Sequence, residues 1–109
     1  MSPDLPTPVS NYFKAVNLQD VDAMLSAFAE EASVRDEGRD MIGRTAIREW
    51  IGDTTRKYHV TLTPISVHHA DEKTIVTAQV SGTFPGSPVE LRYQFTITGE
   101  KIARLEITL

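Results

Sequence analysis

"NYFKAVNLQDVDAMLSAFAEEASVRDEG", residues 11–38, followed at 42–50 by "IGRTAIREW", decides how the chain is organised. The first half reads as two helices. Val9, Tyr12 or Phe13, and Val16 recur at helical spacing and form one apolar stripe. Thr7 is expected as its N-cap, with Pro8 at the first helical position, where a missing N–H costs nothing. "NLQD" interrupts the run, and Asp20 is placed to cap a second helix through its side-chain oxygen. Val21, Leu25 and Phe28 fall there at i, i+4 and i+7, and Glu30-Glu31 oppose the dipole and end the helix. A short strand carries Val34 and ends at Asp36. A third helix opens after "IGR", with Thr45 as cap and Ile47, Trp50 and Ile51 on one side.

From about Tyr58 the period changes from 3.6 to 2. "YHVTLTPISVHH", "KTIVTAQVSGTF", "PVELRYQFTIT" and "KIARLEITL" read as four strands joined by the short turns "ADEK", "PGSP" and "GE". Such turns make antiparallel neighbours. In the third of these strands Val89, Leu91, Tyr93, Phe95 and Ile97 share one face. In the first, apolar residues switch from even to odd positions at Pro64, which predicts a bulge. The expectation is an α+β domain, about three N-terminal helices over a bent antiparallel sheet. Residues 1–6 are read as a flexible lead and 7–109 as a single domain.

Composition narrows the function classes. The 109 residues hold no cysteine, which excludes disulfides, thiolate metal sites and a cysteine nucleophile and suits a cytoplasmic setting. Net charge is −4 with no basic run, so no nucleic-acid footprint is visible. No apolar run reaches the roughly 18 residues of a membrane span. "MSPDLPTP" has neither the basic nor the apolar part of a secretory signal.

The helix-one aromatic, the aspartate opening helix two, the Phe-Ala-x-x-Ala end, the strand ending in Asp and the Gly-x-x-x-Ile opening helix three resemble one superfamily. It is the nuclear-transport-factor-2-like (NTF2-like) superfamily, and within it the SnoaL-like and ketosteroid-isomerase-like members. The likeness runs from Val9 to the end. It implies a conical roll whose helices close over a strongly curved antiparallel sheet around an apolar cavity. Isomerases, polyketide cyclases and dehydratases share that roll. In ketosteroid isomerases the general base is an aspartate at the position of Asp36, and a tyrosine at the position of Tyr12 holds the substrate oxygen. Their second donor, a protonated aspartate in a late strand, is replaced here by Tyr93.

Strand alternation gives an independent reading of Asp36. If Val34 faces the core, so does Asp36, and desolvation lifts its pKa toward the range of a general base. The other reading makes it a solvated cap of the "DEGR" turn. Tyr12 and Tyr93 are each either packed core residues or phenol donors to an enolate. Trp50, Phe28, Val16, Met24, Met41 and Phe95 are the expected pocket wall, with core packing as the plain alternative. His68 and His69 point to opposite faces and lack a third ligand, so no metal site is expected, and no cofactor motif is present.

The polar sheet face, with Thr77, Gln79, Arg92, Gln94, Arg104 and Glu106, is the expected homodimer contact. Three functions compete. The first is proton transfer beside a carbonyl, by an isomerase, cyclase or dehydratase acting on a carbonyl-containing small molecule. The others are an apolar-ligand binder without chemistry and an interaction module with a filled cavity.

Overall fold

The computed structural model describes residues 5–109. Of the expected lead, residues 1–4 lie outside the described residues, and Leu5 and Pro6 carry no regular structure. Helix α1 (Thr7–Asn17) begins one residue earlier than expected. Pro6 stands at the N-cap with no side-chain cap bond, and Pro8 occupies the first turn. The stripe is correct: Val9, Tyr12, Phe13 and Val16 are all buried.

Asp20 caps α2 (Val21–Ser26) as expected, its Oδ1 accepting from the Ala23 amide at 3.1 Å. The helix is only six residues long, however, and buries Met24 rather than a Val21–Leu25–Phe28 stripe. Phe28 opens strand β1 (Phe28–Asp36), so Glu30 and Glu31 are exposed strand residues instead of a helix end. The Ile102 amide donates to the Ala27 carbonyl at 2.9 Å just before the strand begins. That partner comes from the far end of the chain and ends the helix where local periodicity would have continued it.

Glu37 and Gly38 both have positive φ, at 54° and 76°, and make a two-residue turn into β2 (Arg39–Ile42), a strand absent from the sequence reading. Helix α3 (Arg44–Tyr58) then starts earlier than expected. Gly43 at φ 86° is its N-cap and Thr45 lies inside the helix.

The remaining strands, β3 (Thr61–Ala70), β4 (Lys73–Ser81), β5 (Val89–Thr98) and β6 (Lys101–Thr108), correspond to the four predicted segments, except that Tyr58 still belongs to α3 and residues 82–84 lie beyond β4. The six strands run in the order β2-β1-β6-β5-β4-β3. All neighbours are antiparallel except β1 and β6, which are parallel, so the sheet is mixed rather than purely antiparallel. The β1–β2 hairpin and the later meander are far apart in sequence, and the last strand joins them. No local turn dictates that pairing's direction.

Three register shifts bend the sheet. One leaves Ile65 unpaired between Pro64 and Ser66, where the parity break predicted it, and Ile65 is accordingly exposed. The others fall between Phe28 and Ser33 of β1 and between Thr96 and Ile97 of β5. The helices lie over the inner face, and the interior is an aromatic cluster. Tyr12 meets Phe28 edge-on at 5.5 Å between centroids, and Phe13 meets Tyr93 at 5.5 Å and Phe95 at 5.9 Å. No described helix is long and apolar enough to cross a membrane.

Candidate functional site

The pairing registers place Asp36 beside Ile107, Ile107 beside Tyr93, and Tyr93 beside Val76. These four occupy one row across β1, β6, β5 and β4. Val34, two residues before Asp36, is fully buried, so Asp36 shares the inner face with it. Both readings of Asp36 thus have a structural element: it ends the strand at the Glu37-Gly38 turn, and it points inward.

The carboxylate does not stand alone. Trp50 Nε1 on α3 donates to Asp36 Oδ2 at 3.0 Å, and both residues are half-buried. Burial pushes the Asp36 pKa above the usual carboxylate value. The nearby Glu37 charge raises it further, while the Trp50 hydrogen bond, the Glu37 amide and Arg39 pull it down.

Tyr12 arrives from α1 and Tyr93 from β5, each 4 % exposed. Burial raises both phenols well above their ordinary value. The Asp36 charge raises both further, and for Tyr12 so does Tyr93. Both therefore stay protonated and can only donate or accept a hydrogen bond. The three residues singled out from the sequence are brought within electrostatic reach of one another.

The expected wall is more closely packed than the sequence suggested. Phe28, Val16, Met24, Met41 and Phe95 are all core residues at 6 % exposure or less. Trp50 alone of the six is half-buried. Two open clefts of the described surface are lined by neither Asp36, Tyr12 nor Tyr93. One runs along α3 past Arg48, Gly52 and Arg56, and the other lies between β1 and α3 past Phe28, Glu30 and Arg44. Asp36 and Trp50 are themselves half-exposed.

Arg44 is half-buried, and its Nη2 donates to the Leu25 carbonyl at 3.1 Å, satisfying the end of α2. Nothing in the sequence points to the Trp50–Asp36 bond. The residues are 14 apart on different element types, and no periodicity connects them. Among the described residues no three histidine or carboxylate side chains gather as metal ligands. His69 Nδ1 lies 3.4 Å from Thr74 Oγ1.

A family model described as SnoaL-like domain matches residues 9–105. Among solved structures, a candidate polyketide cyclase from Sinorhizobium meliloti is 43 % identical, with a TM-score of 0.92 over 96 % of both chains. An epoxide hydrolase/cyclase-like enzyme of pyran ring formation in salinomycin is 26 % identical, with a TM-score of 0.82, over 94 % of this chain and 87 % of its own. A Catenulispora acidiphila protein of ketosteroid isomerase-like fold, solved with trimethylamine, shares 21 % identity. Its TM-score is 0.85, covering 97 % of this chain and 87 % of that one, a likeness of fold. No curated protein matches the sequence.

Proposed function

The chain belongs to the SnoaL-like family, and from that membership we propose that it moves a proton beside a carbonyl in an uncharged small molecule. The reaction class is that of an isomerase, cyclase or dehydratase. The observation that carries this reading is the inward carboxylate of Asp36, raised by burial and sharing its row with Tyr93. The likeness to a candidate polyketide cyclase supports it.

Asp36 takes a proton from the carbon next to the carbonyl. The C–H electron pair moves into the new C–C double bond, and the carbonyl pair moves to oxygen. Tyr12, with Tyr93, donates a hydrogen bond to that oxygen, where negative charge has developed. Protonated Asp36 then returns the proton to a different carbon, or to the same one. The phenols suit this task because neither ionises near neutral pH. The charged neighbours that act on Asp36, Glu37 and Arg39, are of opposite sign and offset each other in part. A neutral ketone is therefore the fitting substrate class.

Deuterium uptake at the carbon next to the carbonyl, followed by NMR across a panel of cyclic ketones in heavy water, tests the proposal. Wild-type protein should exchange a subset above the buffer rate, and Asp36→Asn should lower that rate by about 10²- to 10⁴-fold. Equal exchange by Asp36→Asn would remove the base. The outward sheet face, with Thr77, Gln79, Arg92, Gln94, Arg104 and Glu106, is proposed as a homodimer contact. The molecular mass in solution checks this.

A further inference from the structure

An indole N–H can donate but never accept, and this restricts the carboxyl it meets. Trp50 Nε1 donates to Oδ2 of Asp36 at 3.0 Å across the α3–β1 contact. Oδ1 receives no described side-chain donor, and the other donor near the carboxyl is the Glu37 backbone amide of the adjoining turn. We infer that Trp50 is a positioning residue whose indole pins Oδ2 of Asp36 and directs every proton the carboxyl takes up to Oδ1. The inference rests on Asp36 being the base.

The chemistry follows from the geometry. A carboxyl side chain is nearly two-fold symmetric about its terminal bond, so an unrestrained Asp36 presents either oxygen. With the indole in place Oδ2 is held as an acceptor, and the carbonyl oxygen of an acid accepts better than its hydroxyl oxygen. The acid form therefore favours its proton on Oδ1. One oxygen anchors and the other exchanges, so the returning proton leaves from the same point at which it arrived. Trp50 is itself held: its helix buries Ile47 and Ile51 on the adjoining face. Its own carbonyl and that of Ile51 accept from Thr54 Oγ1, at 3.0 and 3.1 Å. A ring set on a packed helix is a better anchor than a loop donor.

Apart from the Glu37 amide, which the turn itself supplies, the other groups facing Asp36 do not duplicate this contact. Tyr12 comes from α1 and Tyr93 from β5, both neutral. Arg39 on β2 and Glu37 in the turn are exposed charges of opposite sign. Removing the indole donor leaves burial less opposed, and the carboxyl should hold its proton to higher pH.

Trp50 is the sole tryptophan of the chain, so its indole N–H gives one unambiguous NMR signal. In the wild-type protein that signal should shift with pH in step with the Asp36 carboxyl carbon, and in Asp36→Asn the step should vanish. Trp50→Phe, folded by its amide spectrum, should raise the Asp36 midpoint by about one pH unit. Trp50→Gln, which restores a donor, should move it back. An indole signal indifferent to the Asp36 titration overturns the inference, as does an unmoved midpoint in folded Trp50→Phe. Because these readings involve no turnover, the catalytic proposal can fail in deuterium exchange while the linkage stands, and the reverse.

Discussion

Trp50 on α3 and Asp36 at the end of β1 are joined by a 3.0 Å hydrogen bond across the half-exposed rim of the core. The bond gives a carboxylate on an otherwise apolar face a fixed partner. It explains how a small domain tolerates that group: desolvation raises the free energy of the charge, and a donor to the charged form offsets part of the cost. A site built this way has consequences for stability as well as for chemistry.

Asp36→Asn should leave the melting temperature at pH 7 unchanged or higher. The folded pKa of Asp36 lies above its unfolded value. Its stabilising contribution is thus full below the unfolded value of about 3.9 and is lost as pH rises through the folded one. At pH 7 the charged group is a net cost that asparagine does not carry, while the asparagine carbonyl still accepts from Trp50. Thermal melts of both proteins from pH 7 down to 4 should show the variant's advantage shrinking. A growing advantage at low pH would contradict the sign.

Tyr12→Phe and Tyr93→Phe keep the rings that pack against Phe28, Phe13 and Phe95 and remove only the hydroxyls. Deuterium exchange should fall by about 10²- to 10³-fold in Tyr12→Phe and by less in Tyr93→Phe, as expected for loss of an oxyanion donor. Both should melt close to wild type. A Tyr12→Phe protein that exchanges at the wild-type rate has lost no donor.

Asn17 acts as a surrogate strand. Its Nδ2 donates to the Leu62 carbonyl at 2.9 Å and its Oδ1 accepts from the Leu62 amide at 2.6 Å, covering the edge of β3. Asn17→Ala leaves both backbone groups unpaired and should cost about 1–3 kcal/mol in urea unfolding. A loss well under 1 kcal/mol would mean that water replaces the amide freely.

Gly82 is required by a close approach. A Cβ there would lie 2.5 Å from the Tyr58 carbonyl oxygen and 3.1 Å from the Phe84 ring. That carbonyl also accepts from the Thr83 amide at 2.7 Å, so it cannot easily retreat. Gly82→Ala should destabilise by about 1–3 kcal/mol, read from the denaturation midpoint. An unchanged midpoint would show that the α3–loop junction yields.

Much of this architecture could be read along the chain, because its signals are local. The α1 stripe, the Asp20 cap, the four late strands and the Pro64 bulge each depend on residues within a turn or a hairpin of one another. The errors cluster where a distant partner decides. Phe28 looked helical because Val21 and Leu25 precede it at the right spacing, but a backbone bond from Ile102 to Ala27 draws the segment into the sheet. Strand β2 is only four residues long, too short for alternation to declare itself, and its Met41 is buried because Val34 lies opposite.

The site divides along the same line. Alternation ties Asp36 to the face of Val34, since successive strand residues face opposite sides, but it left open whether that acid lies inward or caps the turn. Which groups would meet it there depended on how the strands were ordered and on where α3 came to rest. The parallel pairing of β1 with β6 put Tyr93 in its row, and the packing of α3 brought an indole N–H to one of its oxygens. Period and turn chemistry act over a few residues and are written in the order of the letters. Contacts between elements are chosen by the whole core at once, and only the assembled fold holds that information.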